Sequence, residues 1–245
     1  MKFFLTFIIF IFISFVVEAS DYDLPNDIEM DTTSEVKVND RFENFNRRVF
    51  EFNKGLDTVV VNPATKVYGK ITFSEWGHER ISHALQNLHE PTHMVNSILY
   101  GNPAGFFRSG LRFMINTVFG FGGLFDTATR LGIQKYDIKF SDVMAGKMCI
   151  KNGPYLMMPL LGPFTTRNVF GLGMDEIVLD PLNYVLPFYT LVIRFGVEII
   201  SVRYEKRDIL QQINTLSVDE YAMMRSLYYQ SNAAKEFTTY DDSKK

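Results

Sequence analysis

The chain has 245 residues, 22% charged and 47% hydrophobic, the composition of a folded protein of one sizeable domain or two small ones. Its net charge is −3 and no stretch clusters Lys and Arg as a phosphate backbone requires, which excludes nucleic acid as a partner. A single cysteine, Cys149, excludes an intrachain disulfide, while 23 Phe and 12 Tyr against one Trp give a surplus of large rings suited to a core or to lipid.

The first element is a leader. Lys2 precedes an apolar run over 3–17 broken by Thr6 and Ser14, and Val17-Glu18-Ala19 closes it with short residues at the positions a signal peptidase reads. At about 15 residues the run is short of the roughly 20 that span a bilayer, so residues 1–19 read as a signal peptide and the chain as exported. Residues 20–38 carry Asp21, Asp23, Asp27, Glu29, Asp31 and Glu35 against Lys37, with Pro25 and few large apolar groups. That stretch reads as an acidic flexible leader.

From Asn39 the apolar spacing becomes helical. Phe42, Phe45, Val49, Phe52 and Leu56 share one helical face, and Asn62-Pro63 reads as an N-cap with proline at the first helical position. A third helix is expected over 74–88, with Ile81, Leu85 and Leu88 as its stripe, and Pro91 restarts the chain as a fourth that stops at Gly101. Asn102-Pro103 opens the clearest helix. Phe106, Phe107, Gly110, Leu111, Met114, Ile115, Val118 and Phe119 form a broad apolar face, opposite Arg108, Ser109, Arg112 and Asn116. A helix in a membrane interface has the same pattern, but packing of the apolar face against a core is the expectation here.

Two segments, 118–125 and 152–163, combine Gly or Pro with large apolar residues where turns are normally polar. They read as loops built into the structure. Residues 182–200 are largely apolar but hold Pro187, Arg194 and Glu198, and each central charge costs about 2.5–3.5 kcal/mol on insertion scales, which argues against a transmembrane span. Ser217-Val218-Asp219-Glu220 has the form of a capping box and launches a last helix through Tyr221, Leu227 and Tyr228, with 233–245 as a polar tail. Residues 39–232 thus read as one all-α domain of amphipathic helices with Gly/Pro-rich apolar loops.

Catalytic patterns are few. His89-Glu90-Pro91-Thr92-His93 matches the H-E-x-x-H of zinc proteases, but Pro91 disturbs the helix that would align both histidines, and His78 and His83 both lie upstream. No serine sits in G-x-S-x-G, and Gly146-Lys147 lacks the rest of a phosphate-binding loop. Gly120-Phe121-Gly122 begins like a dinucleotide fingerprint but has Phe125 where the third glycine belongs, and Cys149 reads as buried or incidental. The reading is a protein that is not an enzyme, with no metal and no cofactor.

A run of motifs carries a resemblance. Glu43-Asn44-Phe45-Asn46-Arg47 with Val49-Phe50 and Phe52-Asn53 resembles the opening E-G-x-N-R-x-V-F-x-F-N motif of the MlaA/VacJ family. Asn87-Leu88-His89-Glu90-Pro91, with Asn96 and Gly101, is similar to its N-L-x-E-P segment. Arg112-Phe113, Asn116, Gly120, Gly122-Gly123-Leu124-Phe125-Asp126 and Ala128 resemble its glycine stretch. Gly153-Pro154-Tyr155-Leu156, Pro159-Leu160-Leu161-Gly162-Pro163 and Arg167 resemble its most distinctive signature, and Asp180-Pro181 and Tyr221, Arg225, Tyr228 and Gln230 continue it.

The resemblance implies a helical ring in the periplasmic leaflet of the outer membrane, beside a trimeric porin. Through an amphipathic channel it removes phospholipid from the outer leaflet and passes it to a periplasmic phospholipid-binding shuttle protein. The lipid-pathway residues it implies are Asn44, Phe45, Asn46, Gly120, Gly122, Gly123, Gly153, Pro154, Tyr155, Pro159, Leu160, Gly162 and Pro163. It also makes His89 and His93 chance neighbours of Glu90-Pro91. The chain departs from the family at Ala19-Ser20, where a lipobox cysteine usually stands, at Asn44 for Gly, and at Phe164 for Ser. The missing lipidated cysteine keeps a second reading open, a soluble periplasmic lipid-binding carrier; a zinc protease using His89, Glu90 and His93 is a third.

Overall fold

The computed structural model describes residues 39–73 and 75–242. The expected signal peptide and acidic leader lie outside the described residues. Helix α1 (Glu43–Leu56) passes through a π-helical turn (Asp57–Val61) into α2 (Asn62–Ile71). Asn62 is therefore not an N-cap. Val61 before it is already helical, and the Asn62 N–H reaches back five residues to the Asp57 carbonyl. Pro63 cannot donate a helical N–H, and the wider turn falls immediately before it.

Helix α3 (Glu75–Tyr100) also corrects an expectation, because it runs unbroken through Pro91. An interior proline costs about 3 kcal/mol or more, so tertiary contacts must offset it. They flank the proline: Glu90 binds Arg112, and His93 binds the Ile138 carbonyl at 2.8 Å. Helix α4 (Pro103–Val118) starts as expected, with Asn102 Oδ1 accepting the Gly105 N–H at 2.9 Å. Short helices α5 (Thr127–Arg130) and α6 (Phe140–Gly146) follow.

Residues 152–163 are more ordered than a loop. Strands β1 (Tyr155–Met158) and β2 (Gly162–Thr165) pair antiparallel, with Tyr155 opposite Thr165 and Met158 opposite Gly162. Leu160 (φ +64°) and Gly162 (φ +90°) turn the chain. Tyr155, Leu156 and Met157 are all buried, so the alternation that betrays a half-buried strand is absent. Apart from this hairpin the described chain is helical, and the all-α class stands.

Helix α7 (Thr166–Gly173) leads through a second π-helical turn (Met174–Leu179) to α8 (Leu182–Val185). Pro187 separates α8 from α9 (Phe188–Glu205), and α10 (Arg207–Leu216) and α11 (Glu220–Asp242) complete the order. No helix among the described residues is long and apolar enough to cross a membrane. The cap of α11 is Asp219, whose carboxylate accepts the Ala222 N–H at 3.0 Å, while the Ser217 hydroxyl donates back to the Ile213 carbonyl. Helix α11 continues to Asp242, past the expected start of the polar tail.

The elements touch in a closed circuit: α1, the hairpin, α7, α6, α3, α9, α2, and through the π-helical turn back to α1. Burial within it is inverted. Among the described residues, buried polar and charged side chains outnumber buried apolar ones. On α1 the buried residues are Asn46 and Asn53, while Phe45 and Phe52 stand exposed. Helix α4 buries Gly105, Ser109, Arg112 and Asn116 and exposes Phe107, Leu111, Met114 and Val118. The expectation that its apolar face meets a core is overturned. Two small clusters of ordinary core remain, Phe140 with Val143 and Met144, and Tyr155 with Met157 and Tyr221.

Candidate functional site

Arg112 is the centre of the polar interior. Its Nε donates to Glu90 Oε1 at 2.7 Å, Nη1 to Thr129 Oγ1 at 2.8 Å and to the Ile133 carbonyl at 2.6 Å, and Nη2 to both Asp126 oxygens at 3.1 Å. Arg112 is 2% exposed and Glu90 1%, so the charges are traded in near-complete isolation from solvent. Burial opposes ionisation of Asp126, but hydrogen bonds from Thr129 and Arg112 outweigh it and hold the carboxyl down to about 2. Asn116 donates to Asp126 at 3.2 Å and accepts the Ala128 N–H at 2.8 Å.

These contacts fix the glycine loop between α4 and α5. The Gly123 N–H returns to the Asn116 carbonyl at 2.8 Å and the Phe125 N–H to Gly120 at 3.0 Å. Gly123 has φ +93°, and a Cβ there would lie 2.6 Å from Asn87 Cβ. A Cβ on Gly120 would lie 2.3 Å from the Phe125 carbonyl oxygen. Both glycines are needed for close backbone approach. The tip points outward, with Phe121 77% exposed and Gly122 in open space.

A second ionic cluster joins α3, the Met174–Leu179 turn and α9. His89 Nε2 bonds Glu198, and Arg194 donates to His89 Nδ1 at 3.1 Å and pairs with Asp180. Glu176 lies 3.8 Å from the His89 ring. Burial pushes the Glu176 carboxyl up, and the Glu198 charge adds to that. Sequence reasoning took Arg194 and Glu198 as obstacles to a span and missed their partner more than a hundred residues upstream. The available signal was their i,i+4 spacing, which sets both on one helical face.

His93 bonds the Ile138 carbonyl at 2.8 Å and Asp137 at 3.1 Å. Burial opposes its charge, but these two partners outweigh burial and raise it. His89, Glu90 and His93 are thus committed to α9, α4 and the segment before α6. Neither histidine is an idle neighbour of Glu90-Pro91, and the three side chains do not converge as a zinc protease requires.

The sequence-derived lipid-pathway residues fall into two groups. Asn46 Nδ2 donates to the Tyr155 carbonyl at 3.0 Å, and Oδ1 accepts the Met157 N–H at 2.9 Å, binding α1 to the hairpin of Gly153, Pro154, Tyr155, Pro159, Leu160, Gly162 and Pro163. Asn53 repeats this about two helical turns later, with the Met158 carbonyl at 2.9 Å and the Leu160 N–H at 2.8 Å. Gly120, Gly122 and Gly123 belong to the other group, against α3 and α4. Asn44, Phe45, Gly122, Pro159 and Leu160 are exposed, whereas Asn46, Gly120, Gly123, Tyr155 and Gly162 are buried. Cys149 is exposed rather than buried, in a segment with φ +54°.

Residues 38–235 match the family described as MlaA lipoprotein. The chain is 30% identical over 199 residues to a protein of Rickettsia prowazekii (strain Madrid E), covering 81% of this chain and 78% of that one. It is 28% identical over 214 residues to the intermembrane phospholipid transport system lipoprotein MlaA of Haemophilus influenzae, covering 82% and 80%. A chain solved in a study of the structural basis for maintenance of bacterial outer membrane lipid asymmetry is similar at a TM-score of 0.65 and 31% identity. That likeness covers 78% of this chain and 96% of the other.

Proposed function

Because this chain belongs to the MlaA lipoprotein family, we propose that it moves phospholipid between membranes at the bacterial outer membrane, without covalent chemistry. In this reading the helical circuit lies in the periplasmic leaflet beside a porin trimer. It takes phospholipid from the outer leaflet through an amphipathic channel and hands it to a soluble periplasmic carrier. The exposed pathway residues Asn44, Phe45, Gly122, Pro159 and Leu160 meet lipid. Buried Asn46, Gly120, Gly123, Tyr155 and Gly162 shape the backbone around them, with Gly153, Pro154 and Pro163 setting the hairpin's approach.

The inverted burial of α1 and α4 carries this reading. A protein in water loses stability by exposing a row of Phe, Leu and Met while burying Arg and Glu. In hydrocarbon the balance changes sign, since the rings lose nothing outside and the charges must be paired within. The exposed rings of α4 and the loop tip fit a belt lying sideways in lipid.

Deletion of the gene is expected to raise phospholipid in the outer leaflet, read with a membrane-impermeant amine reagent, and re-expression to reverse it. An unchanged outer leaflet sinks the proposal. Washing membranes with mild salt is expected to leave the chain bound, and its release would favour a soluble carrier instead.

A further inference from the structure

Helix α9 meets α3 at two joints. One is aromatic: the Tyr204 ring lies 4.8 Å from the His78 ring and 5.5 Å from that of Tyr68 on α2, and the Tyr68 hydroxyl bonds His78 Nδ1 at 3.1 Å. The other is the His89 cluster, whose hydrogen bonds disclose where its protons sit. Arg194 can only donate, and its Nη2 lies nearer His89 Nδ1, at 3.1 Å, than Nε2, at 3.5 Å. Nδ1 must therefore offer a lone pair. The one N–H of a neutral imidazole is then on Nε2, donating to Glu198.

A neutral His89 leaves the cluster short of cations. Glu176, Asp180 and Glu198 share Arg194, which already pairs with Asp180. Glu176 makes no side-chain hydrogen bond among the described residues, and its Oε1 stops 3.8 Å from Nδ1. Burial pushes its carboxyl up, so it too favours a proton. Other nearby charges look elsewhere. Asp175 accepts from Asn96 and the Phe140 N–H, Glu90 from Arg112, and Arg203 further along α9 faces Asp57 at 3.5 Å. One proton placed between Nδ1 and Glu176 completes the missing hydrogen bond whichever atom holds it. The side chains of Glu176, His89 and Glu198 keep 27, 23 and 22% of their surface exposed, so solvent can deliver that proton.

We propose that His89 and Glu176 form a proton-operated clasp: uptake of one proton moves Nδ1 from Arg194 to Glu176 and draws the Met174–Leu179 turn and the N-terminal half of α9 onto α3. Without the proton, two carboxylates face one neutral ring and that half of α9 is held more weakly. The Tyr204 joint stays closed in both states, so α9 pivots there. Because α9 links α2 to α3, the clasp adjusts the helical circuit at one point.

The test is amide exchange on the full chain in detergent micelles, each rate divided by the intrinsic rate at that pH. It runs from about pH 8 to 5, the window in which an imidazole changes charge. Residues 188–198 are expected to gain about fivefold protection or more towards acid, with 199–205 level. Glu176→Ala, which removes a partly exposed side chain, is expected to abolish the gain. Glu198→Gln is expected to lower its midpoint by about one pH unit, and keeps the test open if Glu176→Ala fails to fold. Nitrogen-15 shifts of the four histidines, with His89 assigned through His89→Gln, are expected to place its proton on Nε2 at the alkaline end. Level protection across the range, a gain that survives Glu176→Ala, a midpoint unmoved by Glu198→Gln, or an alkaline proton on Nδ1 overturns the clasp.

Discussion

The Tyr155 cluster and the Arg112 network are both nearly closed to solvent, yet they are built from opposite materials. Around Tyr155 the packing is aromatic: Tyr221, Tyr228 and Tyr229 lie with ring centroids 6.1, 5.7 and 6.0 Å from it. Of the charges beside it, Arg47 with Asp219 stays at the surface, while Asp40 is drawn in at the edge, bonded to Tyr221 and Arg225. Around Arg112 the interior is ionic, and the rings of α4 face outward. The first region is organised as for water and the second as for hydrocarbon. Helix α1 holds both patterns, exposing Phe45 and Phe52 while its asparagines stitch the hairpin. The contrast teaches that one chain can carry two solvent preferences, and that burial is informative only when paired with what lies outside.

Breaking the ionic region is expected to have the largest effect. Arg112→Ala leaves buried Glu90 and half-buried Asp126 without their cation and should cost about 3–5 kcal/mol in unfolding experiments in detergent. A loss below about 1 kcal/mol would erase the contrast. Acid should act on the same region. Asp126 is depressed from 3.8 to about 2 in the fold, so its contribution is complete above pH about 4 and is lost as pH falls towards 2. Asp126→Asn should flatten that limb of the stability curve. His93, raised by its partners, contributes below pH about 6.5 and loses its contribution as pH rises through its higher folded value.

Smaller effects sharpen the aromatic side. The Tyr155 hydroxyl is buried without a hydrogen-bond partner, so Tyr155→Phe should be neutral or stabilising by on the order of 1 kcal/mol. A clear loss in thermal unfolding would reveal a bond that the packing hides. The smallest effect is expected at Arg47, despite a 2.8 Å contact to Asp219, because both side chains are roughly two-fifths exposed. Arg47→Ala should cost less than about 1 kcal/mol, and little of that at high salt.

Much of the helical plan was legible because 3.6-residue spacing and the Asn102 cap are local signals. Other features were not local. The path of α3 through Pro91 depends on partners 22 and 45 positions away, Arg112 and Ile138. The hairpin was hidden because three successive strand residues are buried, which removes the period of two. The orientation of α4 was misread because an amphipathic pattern fixes two faces but not which one looks inward. At the candidate site the motif residues were found by resemblance, while the Arg194, Asp180 and Glu198 side of the His89 cluster emerges only when α9 is laid against α3.

The fastening at residues 39 and 40 has a mechanical consequence. Tyr229 donates its hydroxyl to the Asn39 carbonyl at 3.0 Å, and the Tyr155 N–H reaches the same carbonyl at 2.8 Å. Asp40 accepts from Tyr221, Asn46 and, at 2.6 Å, Arg225. A pull on Asn39 and Asp40 is therefore carried by bonds to α1, the hairpin and α11, several of which must yield together. The Arg112 network shares none of these partners, so strain at residues 39 and 40 can be borne without reopening the ionic interior.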